Sequence, residues 1–288
     1  MIDLLVYWFM FPIAIIVASI AMTLGIGGAL FFSPIFIILF PIIGVPILSP
    51  ADAFGAALLT EVFGFASGLF GYSRRKLIDF KTGMTILAIS IPAGIVGVVA
   101  KRVIEDFDLN EVLSLLFGLG LWILTIYIII NKRKEKHGSP VSKSSDPSRV
   151  ILDSENNKYE YKVCNARQGR LLNGIGGFAA GFISFGIGES AITTLRVRCG
   201  LPMKIAAGTS VFVVTITVLI ATLADTLLVG IESVPWELVI FTIPGVLIGG
   251  QIGPRIATRV SSETSDKLMI AIFILFGLIM MLKGLGIF

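Results

Sequence analysis

Charge is scarce in this sequence. Only 15% of its 288 residues are Asp, Glu, Lys or Arg, where an ordinary soluble domain carries about 25%. Hydrophobic residues make up 55% of the chain, and mean hydropathy is +0.93. A soluble fold of this size has too little interior to hide so much apolar surface. The chain therefore reads as an integral membrane protein. The stretch from Leu4 to Ala51 carries no charge at all, which suits helices and lacks the alternation of a membrane β-barrel.

Metal-ligating and redox residues are also few. Histidine occurs once, as His137, in a polar stretch. That placement argues against a catalytic or metal-bound role, and nothing in the sequence requires a cofactor. Cys164 and Cys199 form no disulfide framework and show no metal-site spacing; both read as incidental. The first apolar stretch lacks a basic flank and runs too long for a cleavable signal peptide. A net charge of +4 does not signal nucleic acid, because the basic residues sit in loops beside apolar segments. The partner implied is the lipid bilayer, in a multi-pass arrangement in the cell (inner) membrane.

Ten apolar segments are present. The first half holds residues 4–24, 28–43, 52–71, 82–103 and 111–131; the second holds 168–186, 189–200, 205–229, 236–255 and 266–286. About 20 residues are needed to cross the hydrocarbon core. The second segment of each half is too short for that, which leaves open whether 28–43 and 189–200 cross fully. A polar linker, 132–167, separates a first membrane repeat (1–131) from a second (168–288). It opens on Lys132-Arg133-Lys134-Glu135-Lys136 and continues in Ser, Pro and Asp, a composition that favours an unstructured connection.

The halves resemble each other. Gly25-Ile26-Gly27-Gly28 matches Gly186-Ile187-Gly188-Glu189, 161 residues on. Ile91-Pro92 matches Ile243-Pro244, and Phe117-Gly118-Leu119 matches Phe276-Gly277-Leu278, in the same order. Ten crossings with the N-terminus outside place 20 of the 23 Lys and Arg on the cytoplasmic side, with the linker. If the two short segments do not cross, the split falls to 15 and 8. The positive-inside rule favours the first arrangement. Five crossings per half then make the repeats inverted. The expected fold is all-α: two inverted-topology repeats of about five segments, with Gly-broken helices at the repeat interface and both termini outside. In secondary transporters such breaks build a site near the midplane.

Three glycines in four residues cost a helix roughly 1 kcal/mol each, and opened backbone inside a membrane must be buried in protein or line a cavity. The helix start that follows offers free N–H groups to an anion. The expected substrate-binding set is therefore Gly25, Gly27, Gly28, Gly186 and Gly188, with the hydroxyls of Ser33, Ser190, Thr194, Thr209 and Ser210. Thr215 and Thr217 are expected to bond their own backbone. Glu61 and Glu189 fall inside apolar segments, where a charged carboxylate costs about 2.5–3.5 kcal/mol on insertion scales. They are candidates for coupling movement to protons. Arg74-Arg75-Lys76 and Arg196/Arg198 read as topology anchors, and Asp52 and Asp225 as interfacial.

At these residues the sequence resembles the TauE/SafE family of permeases, the sulfite-exporter or toluene-sulfonate-uptake family. The resemblance rests on the repeated glycine break, the stretch Ala206-Ala207-Gly208-Thr209-Ser210, Pro244-Gly245 and Ile248-Gly249-Gly250. It covers both halves but not the linker. It implies a secondary transporter for a small anion, sulfite or an organosulfonate. Glu189 stands where the family pattern has a small residue, and Ala56-Ala57 where Thr-Ser is expected. The alternatives are a cation- or Na⁺-coupled carrier using Glu61 and Glu189, and a membrane enzyme or non-transporting subunit. The lack of His and acidic clusters counts against an enzyme. Assembly as a homodimer is compatible with the sequence.

Overall fold

The computed structural model describes residues 4–107, 109–136, 148–162, 167–257 and 262–287. A 3-10 turn, Leu4–Tyr7, precedes α1 (Met10–Leu24). Next come α2 (Ala29–Ile42, with a π turn at Ile35–Leu39), α3 (Pro50–Arg74), α4 (Phe80–Asp106) and α5 (Asn110–Lys136). Strands β1 (Ser148–Leu152) and β2 (Lys158–Lys162) pair antiparallel. Then follow α6 (Arg167–Ile183), α7 (Ile187–Thr193, extended by a π turn Thr194–Arg198), α8 (Met203–Val229), α9 (Trp236–Ala257) and α10 (Ser262–Gly284). Each of the ten expected segments is a helix. Six of them, α3, α4, α5, α8, α9 and α10, are long and apolar enough to cross a membrane. Among the described residues the protein is a helical bundle with one small β-hairpin.

Local chemistry sets the helix ends. Ser49 caps α3 by accepting the Asp52 N–H at 3.1 Å, with Pro50 at the first helical position, where its missing N–H costs nothing. Asp79 caps α4 through the Thr82 N–H at 3.1 Å. Gly25 ends α1 at φ 71, a left-handed conformation that glycine adopts without a Cβ clash.

The helices run between two ends of the bundle. The linker end carries the hairpin, where the Ser154 N–H donates to the Arg75 carbonyl at the close of α3. The far end carries Asp52, at the start of α3, beside Arg102 of α4. α1 lies parallel to α9, with Gly245, Gly249 and Gly253 pressed in turn against Phe11, Ile15 and Met22. It therefore enters from the far end. α2 turns back beside α3 until Phe40 meets Tyr7 and Phe9, with ring centroids 5.5 and 6.1 Å apart. α1 and α2 are thus a helical hairpin open to the far end. α6 and α7 make the opposite hairpin. α6 runs parallel to α4 from the linker end, Gly177 on Ser90 and Gly181 on Gly94. Its tip reaches Phe54 near the start of α3, whose carbonyl accepts from the Ser184 hydroxyl at 2.9 Å.

α1 has 15 residues, so it spans about 22 Å, less than the roughly 30 Å hydrocarbon core. Each hairpin enters the bundle from one end and returns to that end. Small residues four apart let these helices approach closely: Gly245, Gly249 and Gly253 in α9, and Gly177 and Gly181 in α6. Large apolar side chains such as Trp8, Ile123, Leu227 and Trp236 point outward, as a lipid-facing surface does.

Two expectations need correction here. The linker contains an ordered β-hairpin. Cys199, at the close of α7, is disulfide-bonded and not incidental. Asp108, His137, Cys164 and Arg259 lie outside the described residues, as do the side chains of Lys132 to Lys136 and Arg198.

Candidate functional site

The two hairpin tips meet. Backbone opens at Gly25 (φ 71) in one and at Ser184 and Gly186 (φ 62 and 124) in the other. A Cβ on Gly188 would stand 3.0 Å from the Gly27 nitrogen. A Cβ on Gly27 would stand 3.1 Å from Glu61 Oε1 and 3.5 Å from Glu189 Oε1. Only glycine leaves room for such an approach.

Three side chains satisfy the opened backbone. Glu61, from the middle of α3, accepts the N–H groups of Gly28 at 3.0 Å and Ala29 at 3.2 Å. Glu189, from α7, accepts Gly27 N–H of the opposite hairpin at 3.0 Å and Gly186 N–H of its own at 2.9 Å. The Ser210 hydroxyl of α8 lies 3.1 Å from both the Gly25 and Gly188 carbonyls, one from each tip. Glu61, Glu189 and Ser210 are all buried. A buried N–H without a partner costs about 1–3 kcal/mol. The carboxylates remove that cost at four positions, occupying the helix starts expected to face an anion.

The structure thus brings together Gly25, Gly27, Gly28, Gly186, Gly188, Ser210, Glu61 and Glu189. The remaining hydroxyls divide. Ser190 donates to the Ile187 carbonyl at 3.1 Å. Thr209, beside Ser210 in sequence, instead accepts the Asp79 N–H at 2.9 Å, at the linker end. The hydroxyls of Ser33 and Thr194 are buried with no hydrogen-bond partner. They are sequence mates 161 residues apart, each at or just before a π turn, a feature frequent at functional sites. Thr215 bonds the Val211 carbonyl as expected, but Thr217 does not bond its own helix; it pairs with Ser90 of α4 at 2.8 Å.

Sequence reasoning missed three features. Tyr72 hydroxyl donates to the Met22 carbonyl at 3.1 Å, tying α3 to the first hairpin. Asp79 gathers Arg149 and Tyr161 from the β-hairpin, both at 2.9 Å. Burial alone would push the Asp79 carboxyl up. Bonds from the Thr82 side chain and N–H, the Tyr161 hydroxyl and the Arg149 charge outweigh it and hold the group below the usual carboxylate range. Asp225, near the outer end of α8, is packed inside the protein. It is buried against Lys101, itself 0% exposed, and Arg102. A lysine and an aspartate inside apolar segments were the available signal. Among the described residues, no group of three His, Cys, Asp or Glu could hold a metal ion.

The family model described as sulfite exporter TauE/SafE matches residues 10–281. The chain is 22% identical to the "Probable membrane transporter protein YunE" of Bacillus subtilis (strain 168), over 95% of this chain and 96% of that one. It is 26% identical to the "Probable membrane transporter protein YjnA" of the same organism, over 82% of this chain and 85% of that one. No solved structure matches.

Proposed function

We propose that this chain, which belongs to the sulfite exporter TauE/SafE family and is a membrane transporter, carries a small anion, sulfite or an organosulfonate, in exchange of access between two inverted repeats. The observation that carries the reading is the meeting of two glycine-opened hairpin tips, entering from opposite ends, at Gly27 and Gly188. The packing supports the inversion. α1 on α9 has its mate in α6 on α4, and α3 on α9 has its mate in α8 on α4. α3 on α8 and α5 on α10 are their own mates. A shift of five helices maps each pair onto another or onto itself. The basic linker marks the cytoplasmic side, which puts both termini outside.

The carboxylates suggest how coupling works. All four oxygens of Glu61 and Glu189 accept main-chain N–H groups. They hold the places an oxyanion would take at a helix start. A proton on either carboxyl neutralises it, weakens its hold and frees N–H groups for an anion. Proton and anion then occupy the site together, and the charge change in the membrane interior is small. The same geometry disfavours the cation carrier, which needs those oxygens free.

The test is anion flux into liposomes with and without a pH gradient. Saturable uptake of sulfite or a simple sulfonate is expected, accelerated by inward proton flow. Glu61→Gln and Glu189→Gln should each flatten the pH dependence. Absence of saturable flux for every sulfur anion tried refutes the cargo; unchanged pH dependence in both variants refutes the coupling.

A further inference from the structure

Lys101, Arg102 and Asp225 lie at the far end, against Gly55 of α3, whose neighbour Phe54 accepts from Ser184 of the second hairpin tip. The Asp225 carboxylate is ringed by donors. Oδ2 receives Lys101 Nζ at 2.8 Å and Arg102 Nη2 at 2.9 Å, and Oδ1 receives Arg102 Nε at 2.8 Å. A guanidinium fork and an ammonium converging on two oxygens make an oxyanion receptor, filled here by a side chain of the protein itself. Arg102 also binds Glu105 on its own helix and, at 3.4 Å, Asp52 of α3. The cluster therefore fastens α3, α4 and α8 together.

A cavity of about 20 Å³ adjoins it, lined by Asp52, Ala56, Arg102, Thr222 and Asp225 among others, room for about one water molecule. The Thr222 hydroxyl is buried and unpartnered on the wall of this cavity. It lies one helical turn inward of Asp225, on the seam between α3 and α8. Those two helices carry Glu61 and Ser210 to the hairpin tips.

Building on the anion cargo of the preceding subsection, we infer that this cluster is a second anion site and the far-end gate: an incoming oxyanion opens it by replacing the Asp225 carboxylate on Lys101 and Arg102. Lys101 makes the exchange obligatory. Its one ion pair among the described residues is with Asp225, and a buried ammonium stripped of its partner is strongly unfavourable. Asp225 can leave only when another anion arrives. Water and neutral solutes do not open the passage. The displaced carboxylate and the unpartnered Thr222 hydroxyl then lie beside the path inward.

The test uses the full chain in nanodiscs and liposomes. Backbone hydrogen exchange is followed at the outer ends of α3 and α8, with sulfite, with methanesulfonate, and with bulky gluconate at equal ionic strength. In the wild-type protein, exchange there should rise roughly tenfold with the two sulfur anions and not with gluconate, within the range of ordinary site coupling. The variant Lys101→Met/Asp225→Asn leaves no lone charge, so it folds even where Asp225→Asn alone does not. Its exchange should be fast without anion and indifferent to it. A wild-type protein that carries either anion yet shows no anion-dependent exchange overturns the gate, as does a double variant with the wild-type response. If neither anion is carried, the cargo assignment falls on the flux arm, and the exchange arm still decides the gate.

Discussion

Replacing Asp79 by Asn should release the β-hairpin from the bundle while leaving α4 capped. Asparagine is as good an N-cap as aspartate, so the Thr82 N–H keeps its acceptor. The bonds from Arg149 and Tyr161, both at 2.9 Å, lose their charged partner. A hydrogen bond to a charged group contributes about 1.5–3 kcal/mol, and the Arg149 side chain is 28% exposed, so its share is screened. A loss of roughly 1–3 kcal/mol in hairpin docking follows, about 5- to 150-fold in local opening. Hydrogen exchange of the amides of Ser148–Leu152 and Lys158–Lys162 reads this directly. The pH dependence has a definite sign. The folded carboxyl titrates below the ordinary 3.8, so its contribution is full above that value and fades as pH falls toward the folded value. Wild-type hairpin protection, taken relative to the intrinsic exchange rate at each pH, should fall in that acid window, whereas Asp79→Asn should show no such step. Equal hairpin protection in the two proteins at neutral pH would refute the reasoning.

Two further outcomes follow from the two hairpins. Gly188→Ala places a methyl 3.0 Å from the Gly27 nitrogen and 3.2 Å from Val214 Cγ2; such overpacking costs about 1–3 kcal/mol, so the melting temperature and anion flux should both drop, and wild-type values for both would contradict the close approach. Ser33→Ala and Thr194→Val remove hydroxyls that have no partner, so thermal stability should hold or rise while the KM for the anion increases. Lower stability with unchanged KM would mean that these hydroxyls serve the fold and not the ligand.

The ten helices were legible because long apolar runs and Gly or Pro punctuation survive any tertiary context. The hairpin tips were legible as glycine-rich interruptions recurring at matched positions. Other features depended on partners far away in sequence. Nothing near Glu61 indicates that its carboxylate caps Gly28, 33 residues earlier. Lys101 sits beside Arg102, Glu105 and Asp106, a charged run that reads as the start of a loop. α4 in fact continues to Asp106, and the lysine turns inward to a partner 124 residues on. The β-hairpin was hidden by composition. Val150 and Leu152 alternate with their neighbours and Asn156-Asn157 mark a turn, but five-residue strands inside a polar linker give a weak periodic signal.

The inequality between the two breaks, Gly28 against Glu189, has a structural meaning. In the first hairpin, the N–H groups of Gly27, Gly28 and Ala29 all go to carboxylates borne by other elements. In the second, Gly186 is satisfied by Glu189 of the same hairpin. The first hairpin therefore cannot move without breaking bonds to α3 and to its counterpart. The second carries its own cap with it. Under the proposed coupling, the two carboxyls act on different joints. Loss of charge on Glu61 loosens the first hairpin from α3. Loss of charge on Glu189 loosens one tip from the other, because the Glu189–Gly27 bond is the direct hydrogen bond between tips among the described residues. Two protonation events with distinct mechanical results would let one stroke be driven by the proton and the return by the cargo. A symmetric pair of glycine breaks could not make that division.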